Sequence, residues 1–243
     1  MKQTLFILCF MLGFTAIKSQ ETKNLIYDTK AEKRDVESFN AIEVGSAITL
    51  YISQGNTTGV AVSVDGDSND KLKTEVRNGT LKIFVSNGFW NKWNWGNSVK
   101  LKAYVTIKDL AKLNVSGASR TILTDKISVT DLKVTLSGAS SLKGDIAASN
   151  LLLDLSGAST ATIGGNTHNL DVRASGASNL KAYALESSSC SAEASGASDI
   201  KITVLKEFNK IEASGASSIR YKGEAIIKNF ESSGASSIKK DSK

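Results

Sequence analysis

No proline occurs anywhere in the 243-residue chain. Proline lacks a backbone donor and is excluded from central strands, so its absence suits a backbone hydrogen-bonded on both sides along most of its length. Cysteine is nearly missing as well. Cys9 lies in an N-terminal apolar run, which leaves Cys190 as the remaining thiol and excludes an intramolecular disulfide. A chain without disulfides must be stabilised by burial or by repetition. The one histidine, His168, sits in the polar stretch Asn166-Thr167-His168-Asn169 and reads as a surface turn residue, not a catalytic base. No metal-ligand spacing and no phosphate-cradling glycine loop is present, so no metal or cofactor is expected. The formal net charge is +6 and is not gathered into one run, so nucleic-acid binding is not expected.

The chain opens with Met1-Lys2-Gln3 and an almost unbroken apolar run from Leu5 to Ile17. A short basic region followed by such a run is the pattern of a secretory signal, and it is too short to span a bilayer as a helix. Ser19 before Gln20 is a plausible cleavage point, which makes residues 1–19 the signal peptide. Phe6-Ile7-Leu8 ahead of Cys9 lack the small residues of a lipoprotein cleavage site. Removing Lys2 and Lys18 lowers the formal charge to +4. Nothing later is apolar enough to form a transmembrane helix, so the expected location is the periplasm, the outer surface or the medium.

Residues 20–33 are polar and mixed in charge and are expected to form a flexible leader. From Phe39 the pattern alternates: Phe39, Ile42, Val44, then Ile48, Leu50, Ile52, then Val60, Val62, Val64. That is strand period. Asn78-Gly79 between Val76 and Leu81 is a strong hairpin signal. No segment carries a persuasive helical stripe.

The second half repeats itself. Ser-Gly-Ala-Ser occurs seven times, with glycines at Gly117, Gly138, Gly157, Gly176, Gly196, Gly215 and Gly234, at intervals of 19 to 21 residues. So short a unit cannot bury its own apolar face and must stack on copies of itself. Counting back six, four and two residues from each glycine gives apolar triplets such as Leu132, Val134, Leu136 and Leu151, Leu153, Leu155; four residues after it stand Leu142, Leu180, Ile200, Ile219 and Ile238. Alternate residues share one face of a strand, so these columns point into a shared core. The expected fold is all-β: a parallel β-helix with coils of about 20 residues over 34–239 and a polar tail at 240–243. Its N-terminal portion (34–110) is continuous with the repeat portion (111–239). An antiparallel sandwich is the alternative, but a sandwich does not require identical tetrapeptides at a constant interval.

The chain resembles the bacterial family named putative auto-transporter adhesin, head GIN domain. The resemblance is carried by Arg34 to Val44 with Ile48 to Gly55, and by Gly215 to Gly223 with Gly234 to Ile238. The family commonly has proline shortly after the glycine matching Gly223, where Glu224 and Ala225 stand here. The resemblance implies a right-handed parallel β-helix in an exported protein with an adhesive role, and it brings no catalytic residues. No translocator barrel is recognisable after the repeats.

Two features are candidate recognition elements. The segment 88–97 holds all three tryptophans, Trp90, Trp93 and Trp95. Indole rings on an Asn- and Gly-rich loop could stack on sugars or lie at a membrane interface, or could fold back to cap an open end of the core. Five residues after the motif glycines stand Lys143, Thr162, Lys181, Lys201, Arg220 and Lys239, a nearly continuous basic column; three before them stand Asp154, Arg173, Glu193, Glu212 and Glu231, a mostly acidic one. The basic column could track an anionic polysaccharide, and the plain alternative is that both columns are solvated faces. The serines are expected to bond the turns together, and Cys190 to be an inert core residue. The sequence thus predicts a non-enzymatic, exported adhesin or carbohydrate-recognition solenoid, with surface glycans or envelope components as partners. A structural or self-assembling envelope protein, pairing through exposed coil edges as a homo-oligomer, is the alternative, and a polysaccharide-degrading enzyme the third reading.

Overall fold

The computed structural model describes residues 28–65, 69–86 and 99–242. Strands dominate it, no α-helix occurs among the described residues, and the parallel coils stack into a β-solenoid of about seven turns with coils about 19 residues apart. The sandwich alternative is therefore set aside.

The repeat half follows the columns read from the sequence. β8 (Lys112–Val115) and β9 (Arg120–Leu123) flank the first Ser-Gly-Ala-Ser corner, and β10 (Ile127–Leu136), β11 (Ser141–Leu155), β12 (Thr160–Ala174), β13 (Asn179–Ala194) and β14 (Asp199–Ala213) follow, each bending round the coil. β10 to β14 pair in parallel and in series, with Leu132 on Leu151, Leu170 and Cys190. The inward residues are buried throughout, and Phe208 takes over from the polar Asn209 by pairing with Cys190. Burial pushes the Cys190 thiol up, in keeping with an inert core residue. β15 (Ser218–Lys222), β16 (Ile226–Ile227), β17 (Phe230–Ser232) and β18 (Ser237–Lys240) complete the stack. Each coil thus has a first face before the glycine corner, a second face after it and a third that returns.

The corner explains the tetrapeptide. The seven corner glycines, Gly117 to Gly234, all adopt φ near +70°, a region that costs other residues about 1–2 kcal/mol. A Cβ on Gly157 would lie 2.7 Å from the Gly138 carbonyl oxygen of the coil below, so close approach also requires glycine there. The next amide continues the ladder: the Ala158 N–H donates to the Gly138 carbonyl at 2.8 Å. The serine after the alanine is buried in each coil from Ser119 to Ser217. Ser140, Ser198, Ser217 and Ser236 donate to a carbonyl of the preceding coil at 2.9–3.2 Å.

The third face carries a second ladder that the sequence columns did not reveal. Asn150 Nδ2 donates to Asp131 at 2.6 Å, Asn169 Nδ2 to Asn150 at 2.8 Å and Asn209 Nδ2 to the Ser189 hydroxyl at 2.8 Å. His168, expected in a turn, lies within strand β12 and faces solvent.

The N-terminal half builds the same cross-section out of serial order. β2 (Ala41–Val44) and β3 (Thr49–Gln54) form a coil, yet they do not end the stack. β6 (Thr80–Val85) and β7 (Leu101–Ile107), later in the chain, lie outside them: β2 sits between β6 and β8, and β3 between β7 and β9, all parallel. Beyond these, antiparallel strands close the end. β5 (Leu72–Arg77) pairs with β6 through the turn at Asn78-Gly79, and β4 (Gly59–Val64) pairs with β7. β1 (Glu32–Arg34) pairs antiparallel with β4, so the leader expected through residue 33 ends earlier, and 28–34 belong to the folded body.

Candidate functional site

The basic column is confirmed as a geometric row by strand register. Lys143, Thr162, Lys181, Lys201, Arg220 and Lys239 are direct partners from coil to coil on the second face, at the ~4.8 Å strand spacing. The row extends further than the repeats. Lys143 lies beside Ile122, Ile122 beside Tyr51, and Tyr51 beside Tyr104. The Tyr51 and Tyr104 rings stack with centroids 5.2 Å apart and planes 11° from parallel. A half-buried aromatic and aliphatic patch thus leads into a line of cations. The signal was available in the alternation of Lys102, Tyr104 and Thr106 against buried Ala103 and Val105, but it lay outside the tetrapeptide repeats.

The first described residue pins that patch. Asp28 accepts from Lys102 Nζ and from the Tyr104 hydroxyl, both at 3.2 Å. The Ser63 hydroxyl, the Lys30 backbone amide and Lys102 hold its carboxyl down to about 2, because hydrogen bonds to the charged form favour it. Burial pushes the Tyr104 phenol up, and the Asp28 charge adds to that.

The acidic column is also a true row, on the first face: Asp154, Arg173, Glu193, Glu212 and Glu231 are successive register partners. The two rows differ in how their charge is handled. On the acidic side Arg173 bridges Asp171 and Glu193 at 3.5 and 3.8 Å, and Lys210 bridges Glu193 and Glu212 at 3.0 and 2.5 Å. Glu212 and Glu193 hold the Lys210 amine above its ordinary range. On the basic side only Lys201 is paired, with Asp199 at 3.2 Å. Lys143, Lys181, Arg220 and Lys239 make no ion pair among the described residues. Stacked like charges repel, so this row carries a repulsion that Arg173 and Lys210 relieve at Glu193 and Glu212 on the first face.

No group of three or more metal-ligating side chains occurs among the described residues. Trp90, Trp93 and Trp95 fall in 87–98, outside the described residues, so the stacking and capping alternatives for that segment receive no structural account. Most serines of the two columns are turn and ladder donors, as expected, whereas the buried Ser159 hydroxyl has no hydrogen-bond partner among the described residues.

The family model described as putative auto-transporter adhesin, head GIN domain, matches residues 38–225. The chain belongs to this family. Its head GIN domain fold recurs in solved structures. A putative adhesin from Bacteroides fragilis superposes with a TM-score of 0.75 at 19% identity, covering 87% of this chain and 96% of that one. A putative lipid binding protein from Parabacteroides distasonis gives 0.61 at 19%, covering 87% and 96%, and a putative adhesin from Parabacteroides merdae gives 0.61 at 16%, covering 87% and 95%. At such identities the likeness establishes the fold alone. No curated protein matches the chain.

Proposed function

We propose that this head GIN domain protein is an exported, non-enzymatic adhesin that recognises an anionic glycan along the basic row of its second face. The observation that supports the reading is an asymmetry of charge compensation: Arg173 and Lys210 bridge the middle of the acidic row, at Glu193 and Glu212, whereas four of the five cations in the basic row make no ion pair among the described residues. A linear polymer with one carboxylate per sugar presents charges at roughly the ~4.8 Å coil spacing and would supply the missing counter-charges. Tyr51 and Ile122 at the head of the row would offer apolar surface to sugar faces. The family name and the solved putative adhesins favour an adhesive role over catalysis, and the signal-like N-terminus favours export.

Calorimetric titration of acidic and neutral polysaccharides tests this. Binding should be confined to acidic chains and should weaken steeply as the Debye length shrinks from ~30 Å at 0.01 M salt to ~3 Å at 1 M. The variant Lys181→Gln/Lys201→Gln/Arg220→Gln should bind at least about ten-fold more weakly, since exposed charge contacts contribute up to about 1 kcal/mol each. Salt-independent binding, or equal affinity for neutral chains, would refute the proposal.

A lipid ligand is a second reading, suggested by the Parabacteroides distasonis neighbour's description. The same titration with anionic vesicles separates it from the glycan reading.

A further inference from the structure

The two ends of the solenoid are finished differently. At the N-terminal end antiparallel strands cover both faces, β5 over β6 and β1 with β4 over β7. At the C-terminal end β16, β17 and β18 each pair on one side only, with β14 or β15. Among the described residues their outer backbone donors and acceptors have no strand partner. The apolar residues of this last coil are uncovered as well: Phe230, in register with buried Ile211, is 55% exposed, and Ile226 is 73% exposed. Natural sheets normally blunt or cover such edges.

We propose that this end is the docking surface for a second copy of the same chain, forming a closed two-fold dimer in which β17 of one copy pairs antiparallel with β18 of the other. The charges select the occupant and the arrangement. Outward-facing Glu231 on β17 and Lys239 on β18 make no ion pair among the described residues. They sit either side of the Gly234 corner. Open head-to-tail stacking is disfavoured, because it would continue each row with its own sign: Lys239 would meet Lys33, the outward residue of β1, and Glu231 would meet Glu75, the outward residue of β5. A two-fold axis that laid β18 on β18 would oppose Lys239 to Lys239, and one that laid β17 on β17 would oppose Glu231 to Glu231. A two-fold axis through the corner at Ala235, four residues from Glu231 and four from Lys239, exchanges the two strands. It sets Glu231 against Lys239 twice, with Phe230 and Ile238 on the inner side of the same pairs. This is a self-complementary, isologous contact, and directly opposed unlike charges in an antiparallel pair are favourable.

The inference does not depend on glycan binding and is tested without any ligand. Sedimentation equilibrium of the purified protein should give the mass of two chains. Glu231→Lys and Lys239→Glu should each weaken the dimer about ten-fold or more, since like charges facing across an interface are disfavoured. Combining them in one chain should restore it, and circular dichroism of all three variants should be unchanged. A one-chain mass at every concentration would overturn the proposal. So would a dimer indifferent to either single change, a charge-exchanged protein that fails to re-associate, or masses growing beyond two chains.

Discussion

The two halves of this molecule reach the same coil by different means. After residue 111 the corner is made seven times by one tetrapeptide, and each corner glycine from Gly138 on lies on the glycine of the coil before it. In the N-terminal half the slot stacked against Gly117 is filled by Ser46, at φ +64°, followed by Ala47 at +59°. A stack therefore needs inward apolar columns and a left-handed corner, and does not need sequence identity. Identity appears where corner backbones pack directly on one another in succession. At Gly157 a Cβ would lie 2.7 Å from a backbone carbonyl oxygen on the coil below, whereas at Gly117 the nearest atom is the Ser46 nitrogen at 3.2 Å.

The sharpest way to break that contrast is at the corner itself. Gly157→Ala adds both the left-handed penalty and a collision with backbone that is locked into a ladder on both sides, so a loss of about 2–4 kcal/mol is expected. Ser46→Gly, at the equivalent place in the other half, should be neutral or stabilising by up to about 1 kcal/mol. Denaturant unfolding measures both; equal losses would mean that the two corners are not the same device.

The buried serines give a smaller contrast within the repeat half. Ser198 donates to the Ala174 carbonyl at 3.1 Å and to the Ser195 carbonyl at 2.9 Å, so Ser198→Ala should cost about 1 kcal/mol. The Ser159 hydroxyl, equally buried, has no hydrogen-bond partner. Ser159→Ala should then be neutral or slightly stabilising, because it removes a desolvated group that gains nothing. Comparing the two melting temperatures checks the pair.

How legible the sequence was tracks the same division. The solenoid, its inward columns and both charged rows could be read because identical coils multiply a weak signal, so that Leu151, Leu153 and Leu155 are seen again and again at one interval. The placement of β6 and β7 outside β2 and β3 could not be read, since alternation identifies a strand but says nothing of which strand lies beside it. The compensation of the acidic row was equally hidden. Lys210 stands five residues before its glycine, off the column that carries Glu193 and Glu212, and its role depends on where its ammonium group reaches. The Asp131, Asn150 and Asn169 ladder was hidden for a simpler reason: it stands seven residues before only three of the glycines, mixes aspartate with asparagine, and gives way to Ser189 in the next coil.

The effect most specific to the closed end concerns Asp28. Its carboxyl is held at about 2 by Ser63, Lys30 and Lys102, below the ~3.9 of an unfolded aspartate. A group whose folded pKa is depressed contributes stability that is fully present above its unfolded pKa and is lost as pH falls through the folded one. The wild-type protein should therefore exceed Asp28→Asn in melting temperature by a constant margin above about pH 5, and that margin should shrink between about pH 4 and pH 2. Local opening should follow the same course. β1 is held by three residue pairs with β4 and by the Asp28 contacts to Lys102 and Tyr104, so amide exchange at 32–34 should quicken in acid while β11 to β13 stay protected. A margin that persists unchanged to pH 2, or exchange at β1 that ignores pH, would show that the closed end is held by strand pairing alone.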